Sequence, residues 1–149
     1  MDQAELGEPD IEIAALRIWV HGREFEDAED YWDGNWLRAT AHCAASGASS
    51  RAHGSILHLG ELVGFLDECA VLHKTLEGKA ELSCIEPNLG VELSTSESRG
   101  NIDVNVRLTP DHLTQEHLFR FAIDQSYLPG IIKGIRKVLE SFPVRGRPE

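Results

Sequence analysis

The chain predicts an α+β fold, with one antiparallel β-sheet of about seven strands covered on one face by two amphipathic helices, in the order βββαββββα. Three observations predict it. Apolar residues alternate with polar ones in several short stretches, recur at helical spacing in two longer ones, and are separated by short turns rich in Gly, Asn, Ser and Pro. Half-buried alternation with hairpin-length turns is the pattern of an antiparallel sheet with one wet face.

In "IEIAALRIWV", Ile11 and Ile13 alternate with polar neighbours, the phase slips near Ala15, and Leu16, Ile18 and Val20 resume it. This reads as one strand with a bulge. Leu37, Ala39, Ala41 and Cys43 share a face opposite Trp36, Arg38, Thr40 and His42, which makes a second strand. "SGASS" is a turn, and Ala52, Gly54 and Ile56 suggest a short third strand. From Leu59 to Glu77 the period becomes helical through Leu62, Leu66, Cys69, His73 and Leu76, with Phe65 and Leu72 widening the stripe. Gly78 is placed to end this helix in a left-handed cap. Alternation then returns in Ala80, Leu82 and Cys84, in Leu89, Val91 and Leu93, in Ile102 to Leu108, and in His117 to Ile123, with "PNLG" and "SRGN" as turns. The last helix presents Leu128, Ile131, Ile132, Ile135, Val138, Leu139 and Phe142 on one face. Asp124 or Ser126 caps it, Pro129 sits in its first turn and Pro143 stops it. Gly130 and Gly134 lie inside it, where they cost stability and permit close packing.

The chain has 149 residues, enough to bury a core without disulfides or metal. Residues 1–9 read as an acidic flexible tail, 10–143 as a single domain and 144–149 as a basic C-terminal tail. Met1 to Asp10 lacks the basic start and apolar stretch of a secretory signal, and the longest apolar runs are too short to cross a bilayer. A cytoplasmic protein is expected, without a membrane partner. Cys43, Cys69 and Cys84 are widely spaced and form no C-x-x-C pair, so they read as reduced, buried small hydrophobes.

The formal net charge of -11 repels nucleic acid and favours a basic partner. Charge is also unevenly spread. Glu24 to Asp33 holds six acids and no base, whereas Lys133 to Arg147 holds five bases and one acid, Glu140. The molecule is electrically lopsided unless the fold brings these stretches together.

Within the acidic stretch, "EDAEDYWDGNW" gathers Glu26, Asp27, Glu29, Asp30, Tyr31, Trp32 and Asp33 before a second tryptophan, Trp36. Aligned as a calcium loop on Gly34, it places Tyr31 and Thr40 where oxygen-rich ligands belong, so it does not fit that pattern. General acid–base work needs two carboxyls in different environments, and a solvated run offers one. Asp33-Gly34 reads as a tight turn using positive φ, flanked and clamped by Trp32 and Trp36. Aromatics ringed by acids are also what an interface for a basic partner looks like. His42 and His53 are candidates to meet across paired strands, and His112 and His117 lie five apart, but neither pair carries a zinc signature. There is no G-x-S-x-G elbow, phosphate-binding loop or cofactor motif, so no cofactor and no metal are expected. Two rivals to a binding role stay open. One is a small enzyme with a pocket built from His112, His117, Asp124 and Ser126. The other is a self-associating accessory domain with an apolar sheet face.

The stretches "DAEDYWDGNWLRATAHC", "GNIDVNVRL" and "FRFAIDQSYLPGIIKGIRKVLESFP" together resemble bacterial WapI-type immunity proteins, a resemblance running from about Ile11 to Pro143. It implies a small cytoplasmic protein that binds and neutralises a polymorphic or contact-dependent toxin domain, often a nuclease acting on RNA, by occlusion and without chemistry. It names no contact residues. The choice of Glu26, Asp27, Glu29, Asp30, Tyr31, Trp32 and Asp33 as the contact surface rests on their charge and aromatic content alone.

Overall fold

The computed structural model describes residues 3–97 and 100–148. Ser98 and Arg99 of the "SRGN" turn, and Met1 and Asp2 of the acidic tail, lie outside the described residues. The strands form two antiparallel sheets of four, not one sheet of seven. The first is a meander of β1 (Ile11–Ile13), β2 (Leu16–Arg23), β3 (Trp36–Ala45) and β4 (Ala48–His58); the second is a meander of β5 (Lys79–Ser83), β6 (Leu89–Thr95), β7 (Asn101–Leu108) and β8 (Leu118–Asp124). Single helical turns, α1 (Gln3–Leu6) and α2 (Tyr31–Gly34), precede β1 and β3. The two long helices, α3 (Leu59–Thr75) and α4 (Leu128–Ser141), each follow one meander.

The chain is thus two ββββα halves. The two helices pack on each other, and each also lies along the first strand of the other half, α3 on β5 and α4 on β1. Both strands are sheet edges, whose unpaired backbone needs cover. On α3, Glu68 accepts the amide of Glu81 at 2.9 Å and Glu61 accepts that of Ile85 at 2.7 Å. On α4, the backbone itself comes close: a Cβ on Gly134 would lie 2.7 Å from the Asp10 carbonyl oxygen. Gly130 meets nothing within 4 Å, so only one of the two helix glycines serves packing.

One core runs through both halves. Leu37, Ala39, Ala41 and Cys43 are fully buried from β3, as alternation predicts, facing Leu16 and Ile18 of β2. Each such Leu or Ile contributes ~1.5–3 kcal/mol by leaving water. The sheets meet where β4 nears β6 and β7, and the Ser50 hydroxyl there donates to the Leu108 carbonyl at 2.6 Å.

Several local expectations need correction. The phase slip near Ala15 is a hairpin, since Ile13 pairs with Leu16 and Ala14 turns at φ 54. The third strand is long, eleven residues, because its outer face is polar and hid its ends from an apolar count. Its register shifts between Leu37 and Ala39 of β3, which lets both Ile56 and Leu57 face the core. Helix α3 ends on Leu76 in the left-handed region, with its amide on the Leu72 carbonyl at 2.8 Å, and Gly78 lies beyond that cap. His73 is exposed and off the core stripe. Asp124 caps a 3-10 turn, Gln125–Tyr127, that leads into α4.

Candidate partner-binding site

The acidic stretch leaves β2 at Arg23 and re-enters the sheet at Trp36. Asp33-Gly34 is no positive-φ hairpin turn there. Asp30 caps the helical turn α2 by accepting the Asp33 amide at 3.0 Å, and the Gly34 amide returns to the Asp30 carbonyl at 2.9 Å. Gly34 is required for a different reason: a Cβ would lie 2.6 Å from the Ala28 carbonyl oxygen.

A polar clasp pins this loop from beneath. Asn35 is fully buried; its Nδ2 donates to the carbonyls of Tyr31 at 2.7 Å and Arg145 at 2.8 Å, while its Oδ1 accepts the Arg145 amide at 2.9 Å. The Arg145 guanidinium donates to the carbonyls of Glu26 at 2.6 Å and Ala28 at 2.8 Å. Arg23, also buried, donates to the carbonyls of Gly34 at 2.6 Å and Pro143 at 2.5 Å. Burial first, and then the nearby Arg145, disfavour the charge on Arg23. Both guanidiniums are satisfied by carbonyls, which leaves the carboxylates above them unclaimed. The fold therefore does bring the basic end of the chain to the acidic stretch, but as a backbone clasp.

His58 supports the other side. It is buried at the start of α3, where Nδ1 accepts the Gly60 amide at 3.0 Å and Glu61 accepts the His58 amide at 2.8 Å, a capping box. With Nδ1 an acceptor, Nε2 carries the proton and donates to the carbonyls of Tyr31 and Trp32, both at 3.2 Å. Its ring meets those of Tyr31, Trp32 and Trp36 at centroid distances of 5.1, 5.8 and 5.0 Å. The two tryptophans thus flank His58, with Trp36 half-buried and Trp32 outside.

Of the seven chosen residues, Glu26, Asp27, Glu29, Asp30, Trp32 and Asp33 are exposed and Tyr31 is half-buried, its hydroxyl against Gly60. Among the described residues, ion pairs join Arg38 to Glu24 and Lys79 to Glu81 and Glu92, and none involves Glu26, Asp27, Glu29, Asp30 or Asp33. Glu26, Asp27 and Glu29 line a concavity of about 460 Å³ floored by Arg145 and Gly146. Phe25, 48% exposed, is a second exposed aromatic of the loop, with Trp32 at 49%, that residue counting passed over. Asn35 and His58 were likewise missed. A signal existed only for His58, whose spacing to Glu61 is that of a capping box with histidine in place of serine.

Of the enzymatic candidates, Asp124 and Ser126 meet, and His117 lies apart from them. His117 comes just before β8 and Asp124 ends it, roughly 20 Å apart at the rise of a strand. The Asp124 carboxylate is held by the amide and hydroxyl of Ser126, which lowers its pKa, and His117 contacts Gln115. His42 and His53 are not paired either: His53 faces Thr40, and His42 faces Arg51 and bonds Ser49 at 2.9 Å. The three thiols are free; burial raises Cys43 to about 11 and Cys69 to about 12, and burial with the nearby Glu61 raises Cys84. None is an activated nucleophile. A groove of about 540 Å³ between α3 and α4 brings His73 near Lys133, Arg136, Lys137 and Glu140. The outward positions of the second sheet carry mainly charged residues, Glu81, Glu92, Asp103, Arg107 and Arg120, with apolar Leu118 and Ala122 confined to its β8 edge. No described helix is long and apolar enough to cross a membrane.

Compared with known families, residues 9–143 match the immunity protein WapI-like family. No curated protein matches the chain.

Proposed function

The chain belongs to the WapI-like immunity protein family, and from that premise we propose that it is a non-catalytic, cytoplasmic immunity protein whose acidic loop occludes a basic toxin domain. The observation that carries this reading is the clasped loop. Glu26, Asp27, Glu29 and Asp33 stand exposed and outside any described ion pair, on a backbone held by Arg23, Asn35, His58 and Arg145. A preformed loop loses little conformational entropy on binding, and unclaimed carboxylates steer a cationic surface toward it. Trp32 and Phe25 supply apolar anchors within the acidic rim. A toxin that cleaves RNA needs a basic cleft for phosphate, and a carboxylate surface competes for that cleft. Occlusion of this kind requires no chemistry from the immunity protein.

The test is capture of partners from the producing cells with tagged protein, followed by binding kinetics on the purified toxin domain. A basic partner whose association slows by on the order of tenfold or more after combined E26K, D27K and E29K substitution, and slows with added salt, supports the reading. Association and salt dependence unchanged by the triple reversal would move the interface elsewhere on the molecule.

A further inference from the structure

Two sheets have four edges, and the long helices lie along two of them, α4 on β1 and α3 on β5. Strand β4 lies against β6 and β7, where Ser50 bonds across the seam. Strand β8 pairs with β7 on one side, and among the described residues no backbone bond reaches its other side. The Leu108 amide donates to the His117 carbonyl and the Gln125 amide to the Gly100 carbonyl. In the antiparallel register this turns the backbone groups of Phe119, Phe121 and Ile123 toward β7. The N–H and C=O groups of Leu118, Arg120 and Ala122, and the Asp124 N–H, therefore point to the open side. Edge strands are ordinarily blunted by proline, a bulge or an inward charge. Strand β8 has none of these: its register is unbroken from Leu118 to Asp124, and its inward side chains are Phe119, Phe121 and Ile123. The Phe119 and Phe121 rings stack at a centroid distance of 6.4 Å and pack on the core, yet both stay half-buried where the sheet stops.

We propose that β8 is a docking edge for a second copy of this chain, whose own β8 pairs with it antiparallel about a twofold axis at Ala122 and joins the two second sheets into one. The charges of the strand select this occupant and this register. With Ala122 opposite Ala122, Arg120 of each copy faces Asp124 of the other, and Phe121 faces Ile123. An axis at Arg120 would set the two arginines against each other, and an axis at Phe121 would set Asp124 opposite the apolar Leu118. Arg120 is exposed and in none of the described ion pairs. The Ser126 amide and hydroxyl both donate to Asp124 Oδ1, which leaves Oδ2 to the arginine. The acid beside the axis is Asp103, next to Ala122 on β7. Across a dimer the two Asp103 positions stand three strand spacings apart, roughly 14 Å, and are screened over a Debye length of about 8 Å. Helix α4, about 21 Å long, separates the Asp124 end of β8 from the clasp at Pro143 and Arg145, so each copy keeps its acidic loop open.

This pairing needs no toxin and is tested without one. Sedimentation equilibrium of the full chain is expected to show a monomer–dimer equilibrium with a dissociation constant between about 1 μM and about 1 mM, the range of a small interface. Amide exchange over the same concentrations identifies the edge. The Ala122 and Asp124 amides slow as dimer forms, Leu118 stays fast, and Phe121 and Ile123 are slow throughout. Ala122→Pro removes an outward N–H and no bond to β7, and is expected to weaken the dimer by on the order of tenfold or more while the monomer keeps its circular dichroism. Arg120→Asp and Asp124→Arg each set like charges opposite one another and weaken self-pairing. Mixed in equal amounts, the two variants restore a dimer, because every arginine again meets an aspartate, a recovery that misfolding cannot produce. A monomer at every concentration, a dimer that keeps its affinity in Ala122→Pro, or mixed variants that stay apart overturns the pairing.

Discussion

Asn35 concentrates the organisation of the loop in one side chain. Its amide holds Tyr31, Arg145 and, more distantly, Arg23 at 3.4 Å, so three separated parts of the chain meet on it. Asn35→Ala leaves buried amide and carbonyl groups without partners, at a cost of about 1–3 kcal/mol, to be read as a lower urea midpoint. His21 and His42 act at the same scale through protons. Burial first, with the neighbouring His53 and Arg38 for His21 and Arg51 and Arg17 for His42, holds both below the ordinary value of 6.5. The unfolded chain therefore binds more protons than the folded one as pH drops through that value, and stability present above it is lost. Urea midpoints at pH 7.5 and 5.5 measure the loss, and the double variant H21Q/H42Q is expected to flatten the difference.

At the scale of elements, two glycines in one helix make opposite predictions. Gly134→Ala pushes α4 off the β1 backbone and destabilises by about 1–3 kcal/mol, as overpacking does. Gly130→Ala fills open space in a helix and stabilises by up to about 1 kcal/mol. Thermal melts of the two variants decide whether contact with β1 or helix propensity governs α4. The C-terminal segment is an element without regular structure, yet it forms the floor of the acidic loop through Arg145. Truncation after Pro143 is expected to speed amide exchange selectively in residues 26–35 and leave β6 and β7 protected. Equal exchange with and without the segment would mean the loop holds itself.

At the scale of the whole molecule, each half finishes the other. Helix α3 covers the β5 edge and α4 covers the β1 edge, so neither ββββα unit retains both helices when separated. Peptides 1–77 and 78–149 are expected to lack stable structure alone and to gain it when mixed, seen by circular dichroism; a half that folds by itself would refute the dependence. The same exchange joins the clasp to the core, because Pro143 and Arg145 follow directly from α4. A protein of net charge -11 gathers acids on the loop, while the outer face of the first sheet mixes Arg17, Arg38 and Arg51 with Glu12 and with Glu24, which pairs Arg38. Net charge alone reported only the first of these surfaces.

The sequence by itself determined what depends on neighbours a few residues apart. Alternation in β3 and β7 identified the inward side chains, helical spacing identified the apolar faces of α3 and α4, and Pro143 marked the end of α4. The acidic run was legible because charge needs no partner to be counted. What tertiary structure decided is everything that depends on separated residues. Division into two sheets follows from α3 and its packing along β5, which period-two patterns do not encode. The clasp joins Asn35 to Arg145 across 110 residues, and Thr40 links His21 to His53. Such contacts leave no periodic trace in the chain, because residue type and spacing are local properties, whereas the distance between strands is set by how the whole core packs.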